Sequence, residues 1–162
     1  MNGALVVSDT SPLNYLVLIE AIDLLPKLVS CVLIPPAVAA ELADHRTPLA
    51  VRQWIANPPP WLQIATPLKV DPLLRLDCGE AEAISLATER GIRAILIDER
   101  KGFRVAKACG LEPLGILAIL EIGAVRGLID FDEFIGRLRA TTFRFTQNLI
   151  IEAKKRIEAV GP

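Results

Sequence analysis

Ala4-Leu5-Val6-Val7-Ser8-Asp9-Thr10-Ser11-Pro12 decides the fold. Its first half is a continuous apolar run, the pattern of a strand buried on both faces of a parallel sheet. Its second half offers several N-cap side chains and then a proline, which suits the first turn of a helix. A helix through Leu13, Leu16 and Val17 follows. A buried strand feeding directly into a helix is the opening of an α/β unit.

The same alternation continues outward from this stretch. A second helix is expected over 22–28 and a strand over 31–34, ended by Pro35-Pro36, which open a helix through Val38, Glu41 and Leu42. Pro48 starts another helix, Asn57-Pro58-Pro59-Pro60 breaks the chain, and 62–65 is a short strand. Asp77 begins a helix to about Arg90 with Gly91 as its stop. Strands are expected at 94–97 and 113–115, and helices over 102–109 and 116–125, the latter closed by Gly127. Asp130 and Glu133 fit a capping box, and 146–159 forms a last amphipathic helix. Five strands separated by helices predict an α/β fold with a parallel sheet.

Composition narrows the function classes. Hydrophobic residues make up 52% of the chain and the mean hydropathy is +0.42, yet no apolar run approaches the ~18 residues of a membrane span. The start, Met1-Asn2-Gly3-Ala4, lacks a basic segment, and Asp9 interrupts the apolar stretch, so no signal peptide is expected. Cys31, Cys78 and Cys109 are odd in number and far apart, which predicts reduced, buried thiols of a cytoplasmic protein and no zinc site. Net charge is −1 and the sequence pI about 5.9. A nucleic-acid partner therefore needs a local basic patch rather than a global pull.

Four separated carboxylate positions carry the chemistry: Asp9, Glu41, Glu80 and the pair Asp98-Glu99. Asp9 and Asp98 each end a predicted strand, and sites in open parallel sheets form beyond the carboxyl ends of strands. Each also fits a plain role, Asp9 as an N-cap and Asp98 as a loop residue. Glu80 fits a capping box with Asp77, but it also shares the apolar face of Ala83, Ile84 and Ala87, which aims it at the sheet. Glu82 projects to the opposite, solvated side. Glu41 among alanines reads on its own as a good helix former. His45, the single histidine, is expected on a surface loop, so no His-based site is supported. Arg100, Lys101, Arg104 and Lys107 read equally as a solvated helix face or as a phosphate-holding patch. Arg137, Arg139, Arg144 and Lys154-Lys155-Arg156 read as solvated or as partners for another protein's acids.

Val7-Ser8-Asp9-Thr10-Ser11-Pro12-Leu13, Leu76-Asp77-Cys78-Gly79-Glu80-Ala81-Glu82-Ala83-Ile84 and Leu96-Ile97-Asp98-Glu99-Arg100-Lys101-Gly102-Phe103, in this order, resemble the PIN-domain family of metal-dependent ribonucleases, and within it the prokaryotic toxins of toxin–antitoxin pairs. The likeness spans roughly residues 4 to 128. It implies a three-layer α/β/α sandwich with a central parallel sheet of about five strands. Residues 1–128 would form the nuclease-like domain, and 129–162 a C-terminal helical extension packed on it. It further implies a cytoplasmic endoribonuclease using Mg2+ or Mn2+. Asp9, Glu41, Glu80 and Asp98 are then expected to be catalytic, with Asp9, Glu80, Asp98 and Glu99 as metal ligands; Asp98 or Glu99 could be the main fourth acid. Thr10, Ser11, Arg100 and Lys101 are expected beside the substrate. Two positions depart from the usual pattern: Glu80 and Glu99 stand where the family often has Asp.

Carboxylate-held divalent ions lower the pKa of water and polarise a phosphate, so no protein nucleophile is needed. A rival is a PIN-like protein with weak or absent catalysis that acts as a binding or regulatory partner. A phosphatase of the haloacid-dehalogenase type is disfavoured, because Ser11 stands where a second Asp is required. The stripe Leu149, Ile150, Ala153 and Ile157 of the last helix, taken with the family's habit of pairing, predicts a homodimer. An antitoxin is expected in an apolar groove elsewhere.

Overall fold

The computed structural model describes residues 3–161. Met1 and Asn2, which bear on the expected lack of a leader, and Pro162, the end of the expected extension, lie outside the described residues. The elements run β1 (Leu5–Ser8), α1 (Thr10–Leu18), α2 (Leu25–Leu28), β2 (Cys31–Ile34), α3 (Pro36–Ala43), α4 (Leu49–Ala56) and β3 (Leu62–Ile64). They continue α5 (Cys78–Arg90), β4 (Ala94–Leu96), α6 (Arg100–Ala108), β5 (Glu112–Leu114), α7 (Ile116–Val125), α8 (Phe131–Arg139) and α9 (Gln147–Val160). Single 3-10 turns lie at Ile22–Leu24 and Pro72–Leu74; the first occupies the start of the helix expected over 22–28.

All strand pairs are parallel, in the order β3-β2-β1-β4-β5. The chain first builds the sheet outward from β1 to β3, then returns to the other side of β1 with β4. Strand order thus reverses between β1 and β4, and a crevice opens beyond their carboxyl ends. Asp9 and Ile97-Asp98-Glu99 occupy those ends. The Asp9 N–H donates to the Leu96 carbonyl at 2.8 Å, which fixes the two chain ends side by side.

Side-chain alternation along the strands divides the apolar residues into two cores. Val6, Val32, Ile34 and Leu96 face Leu13 and Leu16 of α1, Val38 and Leu42 of α3, and Ile119 and Leu120 of α7. Val7, Leu33, Ile95 and Ile97 face Ala83, Ile84 and Ala87 of α5 and Ala106 of α6. This is the expected three-layer α/β/α sandwich around a parallel five-stranded sheet.

Helix boundaries follow local chemistry. Asp77 accepts a hydrogen bond from the Glu80 N–H at 2.8 Å, and Gly91 closes the same helix at φ 65°. Asp130 caps α8 through the Glu133 N–H at 2.8 Å. Phe131, Ile135 and Leu138 of α8 and Ile150 and Ala153 of α9 enter the core shared with α1 and α7. Arg156 of α9 forms a two-pronged ion pair with Glu121 of α7 at 2.7 and 2.9 Å.

Several expectations need correction. Within the stripe foreseen on the last helix, Ile150 and Ala153 are buried in the chain's own core, with Ile157 packed against it, while Leu149 stays exposed. That stripe is therefore not free for a second copy. Only Cys31 is buried; Cys78, at the first turn of α5, and Cys109, ending α6, are exposed, because both stand at helix ends beyond the packed faces. Glu82 is not merely solvated: it accepts a hydrogen bond from the Ala37 N–H at 2.9 Å and so satisfies the first turn of α3. Among the described residues no helix is long and apolar enough to cross a membrane.

Candidate active site

Six carboxylates line one open cavity at the strand-order reversal: Asp9, Glu41, Asp77, Glu80, Asp98 and Glu99. They come from four stretches of the chain. Asp9 follows β1 as the N-cap residue of α1 and is buried. Glu80 projects from the first turn of α5 beside fully buried Ala83, Ile84 and Ala87, as its helical spacing predicts, and is itself buried. Glu41 reaches in from α3, where Thr10 Oγ1 donates to its Oε2. Asp98 follows β4 and Asp77 caps α5. Glu99 is exposed at the rim, where it caps α6 through the Lys101 N–H at 3.3 Å.

Three of these acids rest on glycines. A Cβ placed on Gly79 would meet Glu41 Oε1 at 2.6 Å, one on Gly102 would meet Glu80 Oε1 at 2.9 Å, and one on Gly115 would meet Asp98 Oδ1 at 2.6 Å. Asp98 Oδ1 also accepts the Ile116 N–H at 2.9 Å, so it serves the N-terminus of α7 that Gly115 cannot cap with a side chain. The other oxygen, Asp98 Oδ2, is buried without a hydrogen-bond partner among the described residues. A buried, unpaired carboxylate oxygen is costly.

Positive charge does not offset the cluster. None of the ion pairs among the described residues involves Asp9, Glu41, Glu80, Asp98 or Glu99. Burial, with smaller contributions from Glu80, Asp77 and Glu41, pushes the Asp9 carboxyl up to about 7. Burial, then Asp77 and Glu99, pushes Glu80 up to about 7. Burial raises Asp98 to about 6, partly opposed by the Ile116 N–H. Burial disfavours the charged form of all three acids, neighbouring acids add to this at Asp9 and Glu80, and a cation would offset both effects.

Hard carboxylate oxygens, missing counter-charge and the orphaned Asp98 Oδ2 fit Mg2+ or Mn2+. Among the described residues, however, no group of three or more His, Cys, Asp and Glu side chains is arranged to hold a metal ion. The chemistry of the set suits the ion, and its side chains are spread apart.

Of the residues expected beside the substrate, Thr10 and Ser11 line the cavity, while Arg100 and Lys101 do not. Lys101 Nζ instead donates to the Arg75 carbonyl at 2.6 Å. The cavity also includes Asn14, Tyr15, Arg46, Thr142, Phe143 and Arg144, which were not expected there. Asn14 and Tyr15 had a usable signal, since they follow Ser11 by three and four residues and share its side of α1. Phe143 and Arg144 had none, because a loop between α8 and α9 brings them in.

No curated protein and no solved structure matches the chain. A PIN-domain family model matches residues 5–159, extending well beyond residue 128, where the likeness read from the sequence ends. With its parallel five-stranded sandwich and the match over nearly its full length, the chain belongs to the PIN-domain family.

Proposed function

We propose that the protein is a metal-dependent endoribonuclease. The observation that carries this is the convergence of buried Asp9 and Glu80 with Asp98 in one cavity, without a cationic partner and with raised carboxyl pKa values. Asp9, Glu80 and Asp98 would hold magnesium or manganese, with Glu99 joining from the rim. When bound, such an ion supplies Lewis acidity toward water and the phosphodiester. Asp9 is fixed by the strand end, Asp98 by the α7 N-terminus, and Glu41 by Thr10, so these acids are tethered on the lining of one cavity. A carboxylate left unliganded can take the proton of an attacking water.

Purified protein should cleave RNA in magnesium or manganese and stop in EDTA. Undiminished cleavage in excess EDTA would overturn the reading. A second reading, a PIN-like binding protein without hydrolysis, draws support from the lack of a ready-made metal cluster among the described residues; inactivity toward a broad RNA panel in either ion would favour it.

The finer biological assignment is the toxin of a toxin–antitoxin pair acting in the cytoplasm, a proposal that rests on the sequence likeness. Exposed Ile64 at the end of edge strand β3, and exposed Leu68 and Leu73 in the segment that follows, offer an antitoxin apolar side chains. A homodimer would form through a face other than the α9 stripe, and light scattering at micromolar concentration tests it.

A further inference from the structure

The cavity is acidic on its floor, yet one wall is aromatic and cationic. Tyr15 of α1 and Phe143 meet edge to face with ring centroids 5.0 Å apart. Both line the cavity with the acids, and both are only half-buried. The loop that carries Phe143 is tethered. Thr141 Oγ1 donates to the Leu138 carbonyl at 2.6 Å and accepts the Phe143 N–H at 3.2 Å, while the Tyr15 and Thr142 hydroxyls bond at 2.8 Å. Phe143 is therefore held in place.

The next residue supplies charge. Arg144 is exposed on the same cavity and forms no hydrogen bond or ion pair with any described residue. The cavity's other arginine, Arg46, is engaged with Asp44 at 2.9 and 3.3 Å. Six carboxylates repel a polyanion, so a strand that reaches them needs an anchor, and Arg144 is the guanidinium left uncommitted for it.

We infer that Tyr15, Phe143 and Arg144 form a nucleotide subsite, in which an unpaired base stacks on the Phe143–Tyr15 wall while Arg144 holds an adjoining phosphate. The assignment rests on the reading of the cavity as a nucleic-acid site and names what it selects. Stacking on an aromatic face requires a base free of its partner strand, so the preferred substrate is single-stranded beside the scissile bond. A duplex would keep its bases from the wall.

The test uses the full chain carrying Asp9→Asn, which suppresses turnover, in magnesium. Fluorescence anisotropy would compare a labelled oligoadenylate, the same-length abasic strand and an RNA duplex. Oligoadenylate should bind roughly tenfold more tightly than the abasic strand, and Phe143→Ala should erase that difference. Phe143→Leu, which retains packing against Tyr15 but lacks a π face, should do the same if the alanine variant folds poorly. Arg144→Ala should weaken both single strands alike and reduce the salt slope by about one. Equal binding of adenylate and abasic strands, or variants that bind like the parent, overturns the subsite. Cleavage by the unmodified protein, with KM unchanged in the Phe143 and Arg144 variants, would sink the subsite alone. Binding through the wall with no cleavage in any divalent ion would sink the nuclease reading and leave the subsite standing.

Discussion

Glu41 occupies the space where a side chain at residue 79 would begin: its Oε1 lies 2.6 Å from the position of a Cβ on Gly79. Two elements far apart in sequence, α3 and α5, thereby approach closely enough to bring Glu41 over the helix that carries Glu80. The glycine contributes by what it lacks.

Gly79→Ala should separate activity from stability. The displaced group is the free end of a glutamate, which can swing away, and alanine is the better helix former. Thermal melting should show no loss, while cleavage falls about tenfold or more. Gly102→Ala should differ, because its Cβ would also meet fully buried Ile97 at 2.6 Å, so stability should fall as well. An alanine at 79 with full activity would show that the seat does not position Glu41.

Stability of the cation-free protein should depend on pH in an unusual direction. Asp9 and Glu80 have folded-state values near 7 and Asp98 near 6, all above the ordinary carboxyl range. The folded state then holds more protons than the unfolded state between about pH 4 and 7. Their contribution is complete at the acid end of that window and is lost as pH rises through it. Asp44, drawn down to about 2 by Arg46, acts below this window and at an exposed site. Melting in EDTA should give a lower Tm at pH 8 than at pH 5.5, and Asp9→Asn should flatten the difference. A Tm that climbs steadily over this range would contradict the assignment.

Manganese should reverse that loss. An ion that binds only the folded chain stabilises it in proportion to the logarithm of its excess over Kd, about 2.7 kcal/mol at a hundredfold excess. The increase in Tm should be larger at pH 8 than at pH 5.5, since protons compete for the same oxygens. Glu80→Gln or Asp98→Asn should blunt it. An equal shift in those variants would place the ion elsewhere.

Asp9→Asn, Glu80→Gln and Asp98→Asn should each remove most cleavage while leaving the fold intact, since each replaces a charge that burial disfavours by a neutral amide of the same shape. Glu82 provides the contrast. Glu82→Ala should cost about 1 kcal/mol by uncapping the Ala37 N–H, with cleavage rates preserved. Loss of activity in a folded Glu82 variant would draw that residue into the site.

Much of this architecture was legible because its causes are local. The runs Cys31–Ile34 and Ile116–Val125 carry their own boundaries in flanking prolines and glycines, and the structure begins and ends them where the sequence does. Glu80 was legible because one helix face, shared with Ala83 and Ile84, determines its direction. Glu82 was misread for the complementary reason: its partner, the Ala37 N–H, belongs to another helix 45 residues away. The turn at Pro72–Leu74 lacks apolar periodicity and was missed, although Asp71 caps it through the Leu73 N–H. Phe143 and Arg144 reach the acids only through tertiary closure of the α8–α9 loop. No spacing within their own segment records that.

The bond from the Asp9 N–H to the Leu96 carbonyl has a consequence for a chain emerging from the ribosome. β1 can pair with β2 early, because they are close in sequence, but β4 must find the opposite edge of β1 across almost ninety positions. Non-local pairings of this kind form late. A nascent or truncated chain lacking β4 carries Asp9 and Glu41 without Asp98, and holds no complete acidic cavity. Whatever the cavity does is thus delayed until β4 and the Asp98 that follows it have been synthesised, a safeguard set by connectivity alone.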